Sequence, residues 1–251
     1  MIRRDPTERQ LESPLGRVSP LAKLIVAFGW LLGLATTTSI GPPLALAAVA
    51  AAAGVLLGRI PAGGLLRGAA PLLAAAVSIG FFNAVFAASN VDPAATEVAR
   101  IGPLRLTAEG LVGAAGLAAR IVAIATVGVV FAATTDSTRL VDALVQQLRA
   151  PERFAYGALA AYQAVPRLGE DLATLRQARR IRGLPGSWHP RLLVGLLVLA
   201  VRHADRLALA MDARGFGSGP RSRYRIVRWL PGDAVLVIAA AAILVSVLVV
   251  G

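Results

Sequence analysis

An all-α polytopic membrane protein is the fold class this sequence predicts, with about five transmembrane helices and a cytoplasmic module of long amphipathic helices. Three observations predict it. The chain is 56% hydrophobic but only 5% aromatic, above the ~45–50% apolar share of a soluble domain. Its apolar residues gather into five stretches near the ~17–25 residues that cross a bilayer. Its charges gather elsewhere: of 26 basic and 14 acidic residues, residues 134–228 hold 16 and 7.

The stretches are Leu21–Thr38, Pro43–Leu57, Ala69–Ser89, Leu111–Ala133 and Ala234–Val250. The second is the shortest, punctuated by Pro42, Pro43 and Pro61. The fourth carries one internal charge, Arg120, which reads as structural, snorkelling or pairing with a partner, ahead of a transport role. Small residues recur every four positions at Ala76, Gly80, Ala84 and Ala88, at Gly54 and Gly58, and at Gly110, Ala114 and Ala118. Such faces let helix backbones approach closely in lipid, although a chain this rich in Ala produces the spacing by chance as well.

The charged segment keeps helical periodicity throughout. Leu140, Leu144, Val145 and Leu148 form one stripe, with Asp136 or Ser137 as N-cap. Residues 153–182 form a second stretch, which Pro166 is expected to break. In the third, Pro190–Arg214, a face carries Leu193, Leu196, Leu197, Ala200, Ala204, Leu207 and Met211. Its unbroken apolar run of about ten residues is too short to span, so these helices lie along the membrane or against a partner. The division is then 1–133, a membrane region with four spans; 134–230, the amphipathic helices; and 231–251, a final span.

Topology follows from charge. With residues 134–228 inside, the N-terminus, bearing Arg3, Arg4, Arg9, Arg17 and Lys23, is cytoplasmic, as is the loop with Arg59 and Arg67. The uncharged loop after the first span and the mixed-charge loop Asn90–Gly110 face out, which obeys the positive-inside rule. The expected location is a bacterial inner or plasma membrane. The first twenty residues lack the apolar core of a cleavable signal.

Catalytic and ligand-binding signatures are missing. There is no cysteine, hence no thiol nucleophile, disulfide or Cys-ligated metal. The two histidines, His189 and His203, have no carboxylate at ligand spacing. HExxH, GxSxG and the GxxxxGK[ST] phosphate loop are all absent. The chain is expected to be no enzyme and to bind no cofactor or metal itself.

Two helix ends stand out instead. Ile181-Arg182-Gly183 and Ala213-Arg214-Gly215 each close a long amphipathic helix and lead into glycine-containing loops, "LPGS" and "FGSG". Capping accounts for either one alone: Arg in a last turn complements the helix dipole, and the following Gly supplies the left-handed cap.

Read in order, several pieces resemble the T component of energy-coupling factor (ECF) transporters, the CbiQ/EcfT family. "TAEGLVGAAGLAARIVAIATVGVVFAATTDSTRLVDAL" is similar to that family's fourth span running into its first coupling helix. "AYQAVPRLGEDLATLRQARRIRGL" carries a mid-helix proline and the first Ala-Arg-Gly motif; "LLVLAVRHADRLALAMDARGF" carries the second; "RSRYRIVRWLPGDAVL" resembles the entry to the last span. "SPLAKLIVAFG" is a looser version of the family's opening. The likeness covers nearly the whole chain and is specific from about Thr107 to Asp233.

The resemblance implies a non-catalytic transmembrane coupling subunit. Two cytoplasmic ABC ATPases, or a fused pair, hydrolyse ATP with Mg, and a small S component captures a vitamin or transition-metal ion such as cobalt. Carried over, Arg182 and Gly183, and Ala213, Arg214 and Gly215, dock the two ATPases. The first motif has Ile181 where the family usually has Ala, and Ala178-Arg179-Arg180 is a second possible register. Arg182 is preferred because only it precedes a glycine and the helix break. Leu140, Leu144, Leu193, Leu197, Ala200, Leu207 and Met211 would contact the S component.

Other classes predict different features. An autonomous secondary transporter or channel needs no ATPase but calls for intramembrane polar sites, which are scarce here. A membrane-anchored nucleic-acid or anionic-lipid binder would use the +9 segment, yet acids interleave there with continuous apolar stripes. An intramembrane enzyme lacks a catalytic set.

Overall fold

The structure is a computed structural model that describes residues 8–37, 39–92, 94–101, 104–184, 188–217, 219 and 225–250. Arg3, Arg4, Thr38, the 185–187 and 218 positions of the two glycine loops, and 221–224 before the last span lie outside the described residues. The chain divides into two compact units. One holds the described residues of 137–227, the other those of 8–136 and 228–250.

The larger unit begins with two single-turn helices, α1 (Glu8–Leu11) and α2 (Pro14–Arg17). Five longer helices follow: α3 (Pro20–Thr36), α4 (Gly41–Leu56), α5 (Ala62–Val85), α6 (Ala108–Thr134) and, resuming after the second unit, α10 (Pro231–Val250). Each predicted span is thus a helix, with shifted ends. Proline sits in the first turn of α2, α3 and α4, where its missing N–H costs nothing. α5, α6 and α10 are long and apolar enough to cross a membrane; α3 and α4 are shorter apolar helices. At 1.5 Å per residue the latter two reach about 25 Å, less than the ~30 Å hydrocarbon core.

The spans pack through small residues. Trp30, Leu34, Leu46, Ala47, Ala50, Ala123, Val127 and Ala240 form one core from α3, α4, α6 and α10. A Cβ on Gly54 would lie 2.7 Å from Val130 Cγ2, and one on Gly80 3.2 Å from Ala118 Cβ. Ala76 and Ala114 are buried as well. The four-residue spacing read from the sequence is therefore used at the α5–α6 and α4–α6 contacts.

Polar groups inside this unit are paired with backbone groups, mostly at helix ends, as a low-dielectric surrounding requires. Buried Lys23, the chain's one lysine, donates from Nζ to the Thr134 carbonyl that ends α6, at 2.6 Å. Trp30 Nε1 donates to the Ala240 carbonyl at 3.0 Å. Buried Asp233 accepts from the Ser19 N–H at 2.7 Å and the Leu230 N–H at 2.8 Å, joining the starts of α3 and α10. Arg120 Nη2 donates to the Thr37 carbonyl just past α3, so the one charge within the fourth predicted span caps a neighbouring helix.

The loop from Asn90 to Gly110 is more ordered than the sequence suggested. A 3-10 turn (Ala88–Val91) leads to an antiparallel hairpin, β1 (Glu97–Ile101) and β2 (Leu104–Thr107). Arg105 pairs with Glu97 at 2.9 Å and donates to the Asp92 and Ala95 carbonyls. Asn90 donates to the Ala84 and Val85 carbonyls and accepts from the Thr107 N–H and hydroxyl. Thr107 in turn caps α6 through the Gly110 N–H.

The smaller unit holds α7 (Ser137–Gln147), α8 (Glu152–Ile181) and α9 (Pro190–Ala213). Against expectation, Pro166 does not break α8, which runs through it without interruption. Proline removes one N–H from the ladder, but its fixed φ near −65° is itself helical. α7 meets α8 through the Tyr156 hydroxyl, which donates to buried Asp142 at 2.9 Å. The Gln146 amide pairs with the extended chain leaving the unit, donating to the Arg225 carbonyl at 2.8 Å and accepting from the Val227 N–H at 2.9 Å.

Candidate functional site

Both Arg–Gly ends have the same backbone design. Arg182 is the last residue of α8's cap, with φ −78° and ψ 7°, and Gly183 follows at φ +67°. The Gly183 N–H donates to the Arg180 carbonyl at 2.9 Å, and the Leu184 N–H to Arg179 at 3.3 Å. At the end of α9, Arg214 has φ −90° and ψ 8°, and Gly215 has φ +69°. The Gly215 N–H donates to the Asp212 carbonyl and the Phe216 N–H to Met211, both at 2.9 Å. This paired pattern, one bond spanning five residues over one spanning three, is the Schellman cap, which satisfies carbonyls that a helix end leaves open.

The glycine is needed for φ alone at the first site. A Cβ on Gly183 would meet no atom within 4 Å, so the left-handed backbone, costly for a residue with a Cβ, is what selects it. An open space beside an exposed arginine is also what a docking partner requires. Arg182 and Arg214 are both exposed. Among the described residues no hydrogen bond or ion pair engages the exposed Arg182 guanidinium, which carries five donors.

The arginines of the first motif occupy different places in the helix end. Arg179 and Arg180 lie inside α8, with Arg179 half-buried. Only Arg182 occupies the position that Arg214 occupies in α9. Ala213 is the final residue of α9, exposed like its counterpart Ile181, which is 87% exposed. A side chain this open at both sites explains why Ile and Ala serve equally in the cap.

The apolar face expected on α9 divides in two. Ala200, Leu207 and Met211, with Leu196, are half-buried within the described fold, whereas Leu193 and Leu197 are exposed. Exposed Val194, Val198 and Val201 extend that open side and were not singled out from sequence, because a one-stripe reading stops at the a/d-like spacing. On α7, Leu140 and Leu144 are half-buried; Leu148, one residue past its end, is exposed. His189 is used structurally: its Nδ1 accepts from the Arg191 N–H at 3.1 Å and caps α9.

Comparison with known proteins bears on this arrangement. The CbiQ family model, described as cobalt transport protein, matches residues 12–225. An energy-coupling factor transporter transmembrane protein EcfT of Heliobacterium modesticaldum is 30% identical over 94% of this chain and 93% of its own length. The EcfT of Listeria innocua is 30% identical over 58% of this chain, and the match spans 62% of that protein, just under two thirds. A putative ABC transporter ATP-binding protein of Bifidobacterium longum is 27% identical over 92% of this chain, but the match spans only 31% of its length. The span helices, the unit of long helices with two Arg–Gly caps, and a family match across most of the chain lead to one assignment: the chain belongs to the CbiQ/EcfT family of transmembrane T components of energy-coupling factor transporters.

Proposed function

We propose that this chain couples ATP hydrolysis by two cytoplasmic ABC ATPases, or a fused pair, to uptake of a vitamin or transition-metal ion captured by an S component. Arg182 with Gly183, and Ala213 with Arg214 and Gly215, dock one ATPase each. The observation that carries this reading is the duplication. Two exposed arginines close two separate helices with the same cap geometry, one for each of two similar partners. The Bifidobacterium relative supports it, since a region like this chain makes up about a third of a protein named for ATP binding.

Chemistry fits the role. A guanidinium offers a rigid fork of donors to carboxylates or carbonyls in a partner's groove. The chain itself binds no cofactor in this reading; ATP and Mg belong to the ATPases. The S component meets the apolar sides of α7 and α9, at Leu140, Leu144, Leu193, Leu197, Ala200, Leu207 and Met211. Residues 134–230 lie in the cytoplasm as a coupling module between the membrane regions 1–133 and 231–251, with the N-terminus on the same side, in a bacterial inner or plasma membrane.

The test is capture. Tagged chain is co-expressed with the host's ABC ATPases of this transporter class and purified in detergent, alongside the Arg182→Glu, Arg214→Glu double variant. Co-purification with the natural chain and its loss in the variant is the expected result. Retained capture and uptake in the variant would return both arginines to simple caps.

A further inference from the structure

The two Arg–Gly ends lie at opposite ends of one helix pair. Leu175, near the end of α8, packs on Gly195 near the start of α9; a Cβ at Gly195 would sit 3.4 Å from Leu175 Cδ1. At the other end, Arg153 at the start of α8 reaches Gly217, just past α9. These two contacts make α8 and α9 antiparallel. Arg182 therefore sits at one end and Arg214 at the other, separated by about 40 Å of α8 at 1.5 Å per residue.

The Arg153 contact is unusually specific for a surface hydrogen bond. Its Nη2 donates to the Gly217 carbonyl at 3.0 Å. Gly217 has φ +81°, and a Cβ there would fall 2.3 Å from Arg153 Nε and 2.9 Å from Nη2. The guanidinium thus fills the place that any other residue's side chain would take. Further along the same segment, Gln146 holds Arg225 and Val227. The chain leaving the second Arg–Gly end is pinned to α8 at one point and to α7 at another.

We propose that Arg153 is a positioning residue that holds the Arg214 end at a set distance from the Arg182 end, making α8 a strut between two docking points. This rests on the reading of both ends as ATPase-docking sites. When two bound ATPases move relative to each other, a strut of fixed length transmits the displacement to the helices, whereas a loose end absorbs it. The planar fork of arginine suits the task better than an ammonium, because it can cover the glycine backbone and donate at once.

The cysteine-free chain allows a direct measurement. Spin labels at Gln177→Cys and Asp212→Cys, both exposed positions, are placed in the full chain in nanodiscs, with no ATPase present. The natural background is expected to give one narrow separation of about 30 Å. Arg153→Ala is expected to broaden the distribution about twofold with the melting temperature unchanged, since only a local contact is released. Arg153→Lys should restore part of the width. Gly217→Ala should shift the separation in the natural background by crowding Arg153, and in Arg153→Ala should add only the backbone cost of its left-handed φ, with no such shift. An unchanged distribution in Arg153→Ala would overturn the proposal, as would broadening accompanied by a general loss of thermal stability. Because the measurement needs no partner, it fails or succeeds independently of ATPase docking. In the assembled transporter, Arg153→Ala should keep ATPase capture and lose uptake per ATP hydrolysed; capture and coupling lost together would assign Arg153 to folding instead.

Discussion

At Gly183 the conformational and functional demands on one residue can be separated. No neighbour would touch an added methyl, so Gly183→Ala acts through φ alone. It should cost about 1 kcal/mol at the end of α8, read as faster amide exchange at Leu184, whose N–H closes the cap. At Arg182 the contrast is chemical. Arg182→Lys keeps the charge but loses the fork, so capture of the ATPase should weaken without vanishing, whereas Arg182→Glu should abolish it at that end. Equal capture by all three would remove the side chain from the docking account. The cap itself was legible in "RIRGL" and "DARGF", because Gly after a basic last turn carries its own mechanism. The sequence also set Arg182 ahead of Arg179 and Arg180, because it alone precedes a glycine, and the φ of +67° at Gly183 is the cap conformation that glycine supplies.

Among the elements, the apolar periodicities translated directly into helices, since burial and backbone satisfaction leave few other solutions in lipid. Two local readings did not. Pro166 stays within α8 because a helical φ survives the loss of one N–H. The hairpin β1–β2 escaped notice because "EVARI" and "LRLT" are short and surrounded by charge; its order comes from Arg105 and Asn90, which bond backbone carbonyls that no pattern marks. Asn90 joins the end of α5 to the cap of α6. Asn90→Ala removes four hydrogen bonds and leaves the Thr107 N–H unmet, and should destabilise the unit by about 2 kcal/mol. Thermal unfolding in nanodiscs measures this. Asn90→Asp keeps the acceptor half, so it should fall between the two; an Asn90→Ala protein as stable as the natural one would show the network to be ornamental.

For the whole molecule, the sequence separates a membrane region from a basic, helix-rich segment because the two face different surroundings. Residues 137–227 form a compact unit of their own, and the membrane helices form another. The placing of Arg182 and Arg214 at opposite ends of α8 and α9 was not legible. It depends on Leu175 meeting Gly195 and on Arg153 meeting Gly217, pairings between residues that no local periodicity connects. Together with the family assignment, that placement is what the proposed docking of two ATPases rests on. The central claim is that these caps hold two ATPases. Co-purification of the ABC ATPases with the tagged natural chain, compared with Arg182→Glu, with Arg214→Glu and with the double variant, tests it most directly. The account predicts full capture by the natural chain, reduced capture by each single variant and none by the double variant. Undiminished capture by the double variant would contradict it.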